Sequence, residues 1–242
     1  MNKDTLYSDH LKEVGDFVFD EKVADVFDDM IRRSVPGYGA IINMIGDLAG
    51  RYAQPDSVCY DLGCSLGACT LAMRRSITQK DVRIIAVDKA QAMVQKCKMN
   101  IVRNRSEVPV EVRCADLLDI DFKDASMIVF NFTLQFIAPE KRGDLLKKVY
   151  DRLLPGGVLV LSEKIAFEEK EEQDFQEQMH LNFKKLNGYS DLEISQKRTA
   201  LENVLIPETV AAHEKRLAAA GFLPIRTWFR CFNFVSILAF KS

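Results

Sequence analysis

No two of the six cysteines form a CxxC pair, so the spacing offers neither a disulfide nor a metal framework. They fall within or beside strand and helix patterns, as small apolar residues of a reducing compartment do. No window approaches the roughly 18 consecutive apolar residues of a membrane span. Residues 1–20 are mixed and acidic without an apolar h-region. No secretory leader or membrane partner is expected, and the chain is read as cytoplasmic. A basic surplus is missing too: 33 Lys and Arg stand against 35 Asp and Glu, for a net charge of −2. A fold that grips a nucleic-acid backbone usually shows such a surplus, so no direct nucleic-acid contact is expected. The pairs Arg74-Arg75 and Lys147-Lys148 are read as solvated helix faces. There is no internal repeat and no linker long enough to divide the chain, so residues 1–242 are taken as one domain.

What is present is a rhythm. From residue 57, short apolar runs alternate with amphipathic stretches, the mark of β-α-β units and a parallel sheet. Strands are expected at 57–60, 83–88, 110–114, 125–130 and 158–163, and helices at 66–76, 90–104 and 139–153. The near-continuous run at 83–88 suits a strand buried on both faces. Pro139 opens its helix where a missing N–H costs nothing, and Leu154-Pro155-Gly156-Gly157 is read as the stop. Outside this rhythm, helical patterns cover 20–33 and 39–52, and residues 164–204 are highly polar and helical. A last helix at 207–220 precedes two aromatic-rich strands at 223–230 and 232–240. The polar insertion follows the fifth strand, where it could cover the carboxyl edge of the sheet, at which ligands bind in open α/β folds.

The chemistry gathers at strand ends. The turn Asp61-Leu62-Gly63-Cys64-Ser65-Leu66-Gly67 has the spacing Asp-x-Gly-x-x-x-Gly. Gly63 permits the sharp bend and Gly67 the close approach of the next helix, so that backbone N–H groups and a helix N-terminus face a ligand. An acidic residue before the first glycine suits an amino-acid tail better than a pyrophosphate, and Asp61 can accept hydrogen bonds near an α-ammonium group. Asp88 ends the second strand, 27 residues later, where a carboxylate can take both ribose hydroxyls. Capping the next helix is its plainer role. Asp116 and Leu117 follow the third strand, where an adenine can be held. Asn131 ends the fourth. Polar groups at four successive strand ends point to an S-adenosylmethionine-type cofactor, with Gly63, Cys64, Ser65 and Gly67 forming its cradle. From Lys89 only a backbone contact is expected. His10, His180 and His213 lie in polar segments and are read as solvated, so no catalytic side chain is assigned.

These residues resemble the class I S-adenosylmethionine-dependent methyltransferases over 57–163 and the last strands. The resemblance implies an α/β, Rossmann-like fold: a mostly parallel seven-stranded sheet with an antiparallel last strand. To it this chain adds an N-terminal helical extension, 1–56, and a helical insertion after strand 5, 164–204. That superfamily serves many substrates. The flanking segments carry a closer likeness. Arg32-Arg33-Ser34-Val35-Pro36-Gly37-Tyr38, Asn131-Phe132-Thr133-Leu134-Gln135-Phe136, Asn187-Gly188-Tyr189-Ser190, Glu193-Ile194-Ser195-Gln196-Lys197-Arg198 and Trp228-Phe229-Arg230-Cys231-Phe232-Asn233-Phe234 resemble the carboxy-S-adenosyl-L-methionine synthase family almost end to end.

This second resemblance implies a transferase that converts S-adenosylmethionine and prephenate into carboxy-S-adenosylmethionine and phenylpyruvate. The product, which can co-purify, feeds a separate enzyme that modifies the wobble uridine of certain tRNAs. The resemblance further implies a homodimer, no metal, and Tyr38 and Arg198 at the new carboxylate, Arg198 coming from its own or the partner subunit. On residue type alone, Arg198 reads as a surface ion pair and Tyr38 equally well as a hydrophobic cover. Only the resemblance reverses the reading of Arg198, and the charges are compatible with it: a guanidinium beside a sulfonium methyl repels it, whereas a carboxylate welcomes a bidentate donor. The implied chemistry starts with decarboxylation and aromatisation of prephenate. The departing hydroxide takes a proton from the S-methyl group, and the resulting ylide captures carbon dioxide. Positioning and water exclusion are left to the protein. Arg32, Arg33 and Arg230 are candidates for the prephenate carboxylates by charge. Two other readings stay open: a methyltransferase for a small acidic metabolite, and a catalytically silent S-adenosylmethionine-binding partner of a tRNA-modifying enzyme.

Overall fold

In the computed structural model, which describes residues 2–242, the apolar runs pair into one sheet of order β3-β2-β1-β4-β5-β7-β6. The strands are β1 Val58–Leu62, β2 Arg83–Asp88, β3 Val110–Cys114, β4 Ala125–Asn131, β5 Leu153–Lys164, β6 Ile225–Cys231 and β7 Phe234–Phe240. β1 runs parallel to β2 and β4, and β4 parallel to β5, while β7 is antiparallel to both β5 and β6. The seven-stranded mixed sheet expected from the class I resemblance is therefore present.

Strand periodicity explains why two cores flank it. Successive side chains leave a strand on opposite faces. Val58, Tyr60 and Leu62 of β1 and Ile128 and Phe130 of β4 enter one core. It is closed by α5 (Pro139–Arg152) and α8 (Val210–Ala220) through Leu146 and Leu217, with Phe222 just after α8. Cys59, Met127 and Val129 point the other way and meet Ile41, Ile45 and Met73 of α2 (Tyr38–Tyr52) and α3 (Ala68–Ser76). Each fully buried side chain of this size stabilises the fold by about 1.5–3 kcal/mol before conformational entropy is counted. Cys59, Cys64, Cys69 and Cys97 are buried and free, behaving as small apolar residues. α4 (Gln91–Arg103) covers β2 and β3.

The remaining elements lie over the carboxyl edge of the sheet. α1 (Glu21–Ser34) is capped by Asp20, whose side chain accepts from the Val23 N–H. α6 (Lys170–Leu186) is followed by α7 (Asp191–Leu201), which opens on a capping box formed by Ser190 and Glu193. α7 also holds the N-terminal arm. Gln196 accepts from the Leu11 N–H and donates to the carbonyls of Tyr7 and Asp9, and the Phe17 N–H donates to the Ala200 carbonyl. Among the described residues no helix is long and apolar enough to cross a membrane.

Three local expectations are corrected. Leu154-Pro155-Gly156-Gly157 does not separate helix from strand. It lies inside β5 as an irregularity, with Ala125 paired to Leu153 and Met127 to Val158. The last helix starts at Val210 rather than 207, because Thr209 caps it through Ala212 while Glu208 bridges to Ile165 and takes Arg142 and Arg216. Arg74 is not a solvated face residue: its guanidinium donates to the carbonyls of Ile101, Asn104, Ser106 and Val108, pinning the chain between α4 and β3. Lys148 likewise donates to the Leu118 carbonyl, whereas Arg75 and Lys147 are exposed as expected.

Candidate active site

The ends of β1, β2, β3 and β4 open into one cavity of about 410 Å³, within the range of small-molecule sites. Its floor carries Gly63, Cys64, Ser65, Asp88, Lys89, Asp116, Leu117 and Asn131, and Tyr38 and Arg198 stand on the same wall. Ten of the twelve residues singled out in the sequence thus meet in one space. Asp61 and Gly67 lie behind it.

The turn after β1 is rigid because it requires glycine twice. Gly63 has φ +79°, and a Cβ there would sit 2.3 Å from Thr133 Oγ1. Gly67 has φ +85°, and a Cβ would sit 2.8 Å from Cys97 Sγ. Four of the turn's N–H groups are engaged within the protein rather than free for a ligand, contrary to expectation, and only that of Leu66 is without a partner among the described residues. Those of Gly63 and Cys64 donate to the Val87 carbonyl, that of Gly67 to the Cys64 carbonyl, and that of Ser65 to Asp88 Oδ2. Occupied donors cannot cradle a pyrophosphate. Asp61 does not reach the cavity wall either. Its Oδ2 accepts from the Thr70 N–H at 2.9 Å and the Thr70 hydroxyl at 2.5 Å, fixing the first turn of α3. Burial pushes this carboxyl up to about 6.

Asp88 combines both roles weighed for it. One oxygen accepts from Ser65 N–H and the other from Ala90 N–H, each at 2.9 Å. Each oxygen keeps a further lone pair for a ribose hydroxyl. Burial raises its pKa, and the two backbone donors oppose the rise. Asp116 accepts from the Leu118 N–H and starts the short 3-10 turn that buries Leu117. Asn131 Oδ1 is buried with no hydrogen-bond partner among the described residues. An unpartnered acceptor of this kind costs about 1–3 kcal/mol until a donor arrives. A ribose acceptor, an apolar shelf, an unmet acceptor and a turn with most of its donors engaged fit an adenosyl amino acid better than a nucleotide diphosphate.

On the upper wall, Tyr38 and Arg198 stand among basic residues that the sequence did not reveal. Tyr38, the first residue of α2, is buried, its ring 6.5 Å from that of Phe132. Burial moves the phenol well above its usual pKa, so it is a hydrogen-bond donor. Arg198 lines the cavity of its own chain, its side chain exposed to solvent and paired with Glu177 at 3.4 Å. Around it stand Lys164, His180, Lys184 and Lys197. His180 is buried, not solvated: its ring meets Phe234 at 4.8 Å and its Nε2–H donates to the Ser34 carbonyl at 2.8 Å. Burial, aided by Lys184 and Lys164, pulls it down to about 3, so it is neutral. His213 is also buried, beside Glu208, Arg142 and Arg216, and falls to about 4 for the same first reason. Only His10 is exposed as expected. The four-residue spacing of His180 and Lys184 puts both on one helix face, the one signal that could have found them. Arg32, Arg33 and Arg230 do not line this cavity. Arg33 donates to Asn187 and Asp29, and Arg32 and Arg230 pair with Asp28 and Glu172.

The relatives bear on this geometry directly. A methyltransferase-domain family matches residues 59–157. The chain is 57% identical to the carboxy-S-adenosyl-L-methionine synthase of Geobacter sp. (strain M21) over 98% of both chains. It is 54% identical to that of Shewanella piezotolerans over 99% of both. This chain belongs to the carboxy-S-adenosyl-L-methionine synthase family. It is accordingly an enzyme of the transferase class, built on a methyltransferase domain. Among solved structures, magnesium protoporphyrin IX methyltransferase from Synechocystis PCC 6803 superimposes with a TM-score of 0.58 at 14% identity, over 89% of this chain and 94% of that one. That likeness concerns the fold alone.

Proposed function

We propose that this cytoplasmic enzyme makes carboxy-S-adenosylmethionine from S-adenosylmethionine and prephenate, releasing phenylpyruvate. A separate enzyme then uses the product on the wobble uridine of tRNA. In the proposed reaction prephenate loses carbon dioxide and hydroxide, the hydroxide leaves with one proton of the S-methyl group as water, and the methyl carbon bonds to the carbon dioxide. The floor holds the adenosyl part: Asp88 the ribose, Leu117 and Asp116 the adenine, Asn131 and the Gly63–Ser65 turn the amino-acid portion. The observation that carries the reading is that Tyr38 and Arg198 face the same cavity as this floor. Two unit positive charges 4 Å apart repel by about 4 kcal/mol at the effective dielectric of such sites. An arginine beside a plain methyl-sulfonium is thus unfavourable, and beside a carboxymethyl-sulfonium favourable.

No side chain is asked to act as base, in keeping with a neutral His180 engaged with Ser34. Homodimer formation belongs to the proposal, and Arg198 lines the cavity of its own chain. The deciding experiment is mass spectrometry of the ligand released on denaturing purified protein, with assay of prephenate-dependent product. A ligand heavier than S-adenosylmethionine by one carbon dioxide is expected. Recovery of S-adenosylhomocysteine alone, without prephenate-dependent product, would instead support methyl transfer to an acidic metabolite.

A further inference from the structure

The roof of the cavity carries more positive charge than one transferred carboxylate uses. Lys164 ends β5, Lys184 sits on the inner face of α6, and Lys197 and Arg198 lie on α7, all four on the cavity wall. Two of them are engaged. Lys197 donates to Ser34 Oγ at 3.2 Å and lies 3.5 Å from Asp4 Oδ2, and Arg198 meets Glu177. Lys164 and Lys184 have neither a salt bridge nor a side-chain hydrogen bond among the described residues. Lys184 is nonetheless only 9% exposed.

An ammonium group out of water without a partner is costly, and the local charges make it more so. Burial, then Lys197, Lys164 and Arg198, pull Lys184 down to about 7. Burial also lowers Lys164, with Glu177 as the opposing acid and Arg198 adding to the fall. Lys197 falls to about 8 despite Asp4. Cations held close together on one cavity wall, with Lys184 and Lys197 buried and Lys164 half-buried, and short of counter-charge, form a site that a ligand of opposite sign completes. The wall around them also carries Phe136, Ile194 and Leu205, an apolar lining that favours an organic anion over a hydrated inorganic one.

We propose that Lys164 and Lys184 anchor a second subsite, which takes a small organic dianion above the adenosyl cradle, with Lys197 and Arg198 flanking it. This deepens the functional reading and rests on it: the dianion is prephenate, and these are the residues for its two carboxylates. Charge on both lysines has a function there that Arg32, Arg33 and Arg230, engaged elsewhere, cannot take over.

The test uses the full chain with Lys164→Met, Lys184→Met and Lys184→Arg. Methionine keeps the length of the side chain without its charge, so both Met variants are expected to fold at least as stably as wild type. Each should raise KM for prephenate by roughly tenfold or more, while Kd for S-adenosylmethionine stays within about twofold. Lys184→Arg should recover most of the loss. Unchanged KM in both Met variants of an enzyme that does use prephenate overturns the subsite and leaves the functional reading standing. A wild type that yields no prephenate-dependent product defeats that reading instead. The subsite is then judged by malonate, an unreactive dianion. Stabilisation of wild type by malonate that both Met variants lose supports the subsite, and equal or absent stabilisation in all forms overturns it.

Discussion

The floor and the roof of the cavity solve opposite problems. On and behind the floor, most polar atoms are already bonded before a ligand arrives, Asp88 to Ser65 and Ala90, the N–H groups of Gly63, Cys64 and Gly67 to Val87 and Cys64, Asp61 to Thr70, with Asn131 Oδ1 left unmet. On the roof, Lys164 and Lys184 stand without partners among the described residues and His180 is held neutral by its surroundings. The floor owes its shape to backbone geometry, so it is preorganised for one ligand class. The roof owes its character to unmet charge, so it selects by sign.

The largest effect should come from breaking the floor. Gly63→Ala places a Cβ against Thr133 at a φ that disfavours side chains, and should cost roughly 2–4 kcal/mol of stability, read by denaturant unfolding. Loss of S-adenosylmethionine binding should accompany it, and unaltered binding would show that the turn tolerates more than its geometry says. Next, Asp88→Ala removes an acceptor from two backbone donors and the expected ribose contact. Kd for S-adenosylmethionine should rise about 50-fold, some 2–3 kcal/mol, by calorimetry.

Arg198→Ala sharpens the contrast with the roof. It should weaken carboxy-S-adenosylmethionine by about tenfold and S-adenosylmethionine hardly at all; equal weakening of both would remove Arg198 from the carboxylate. The smallest effect at neutral pH belongs to His180→Phe. Unfolded histidine binds a proton near 6.5 and folded His180 only near 3. Between these values the unfolded state holds more protons, so stability falls as the pH falls through that window. The Phe variant should flatten this slope in unfolding curves at pH 3.5–6.5 relative to wild type, with little change above pH 7.

The alternation of strand and helix was legible because both periodicities are local, and β2 and β3 fall where their apolar runs lie. The four strand-end groups were legible for the same reason: a parallel sheet brings its carboxyl ends to one edge. Polarity misled where a segment has two faces. Residues 164–204 read as polar and His180 as solvated, yet α6 turns His180 and Lys184 inward while Lys185 and Leu186 remain outside. Nothing in a list of residues says which face of a polar helix meets the sheet edge. Similarly, Leu154-Pro155-Gly156-Gly157 has the composition of a stop and became an irregularity of β5 only because β4 supplied partners on both sides of it.

By itself the sequence determined the β-α rhythm, the glycine turn and the family, since each rests on neighbours in the chain or on whole-length likeness. Tertiary structure alone decided that Asp61 works from behind the turn, that Arg198 lines the cavity of its own chain, and that two lysines face it without partners among the described residues. Burial and the sum of nearby charges belong to whatever the fold brings within a few ångströms, and that proximity is not written in any single segment.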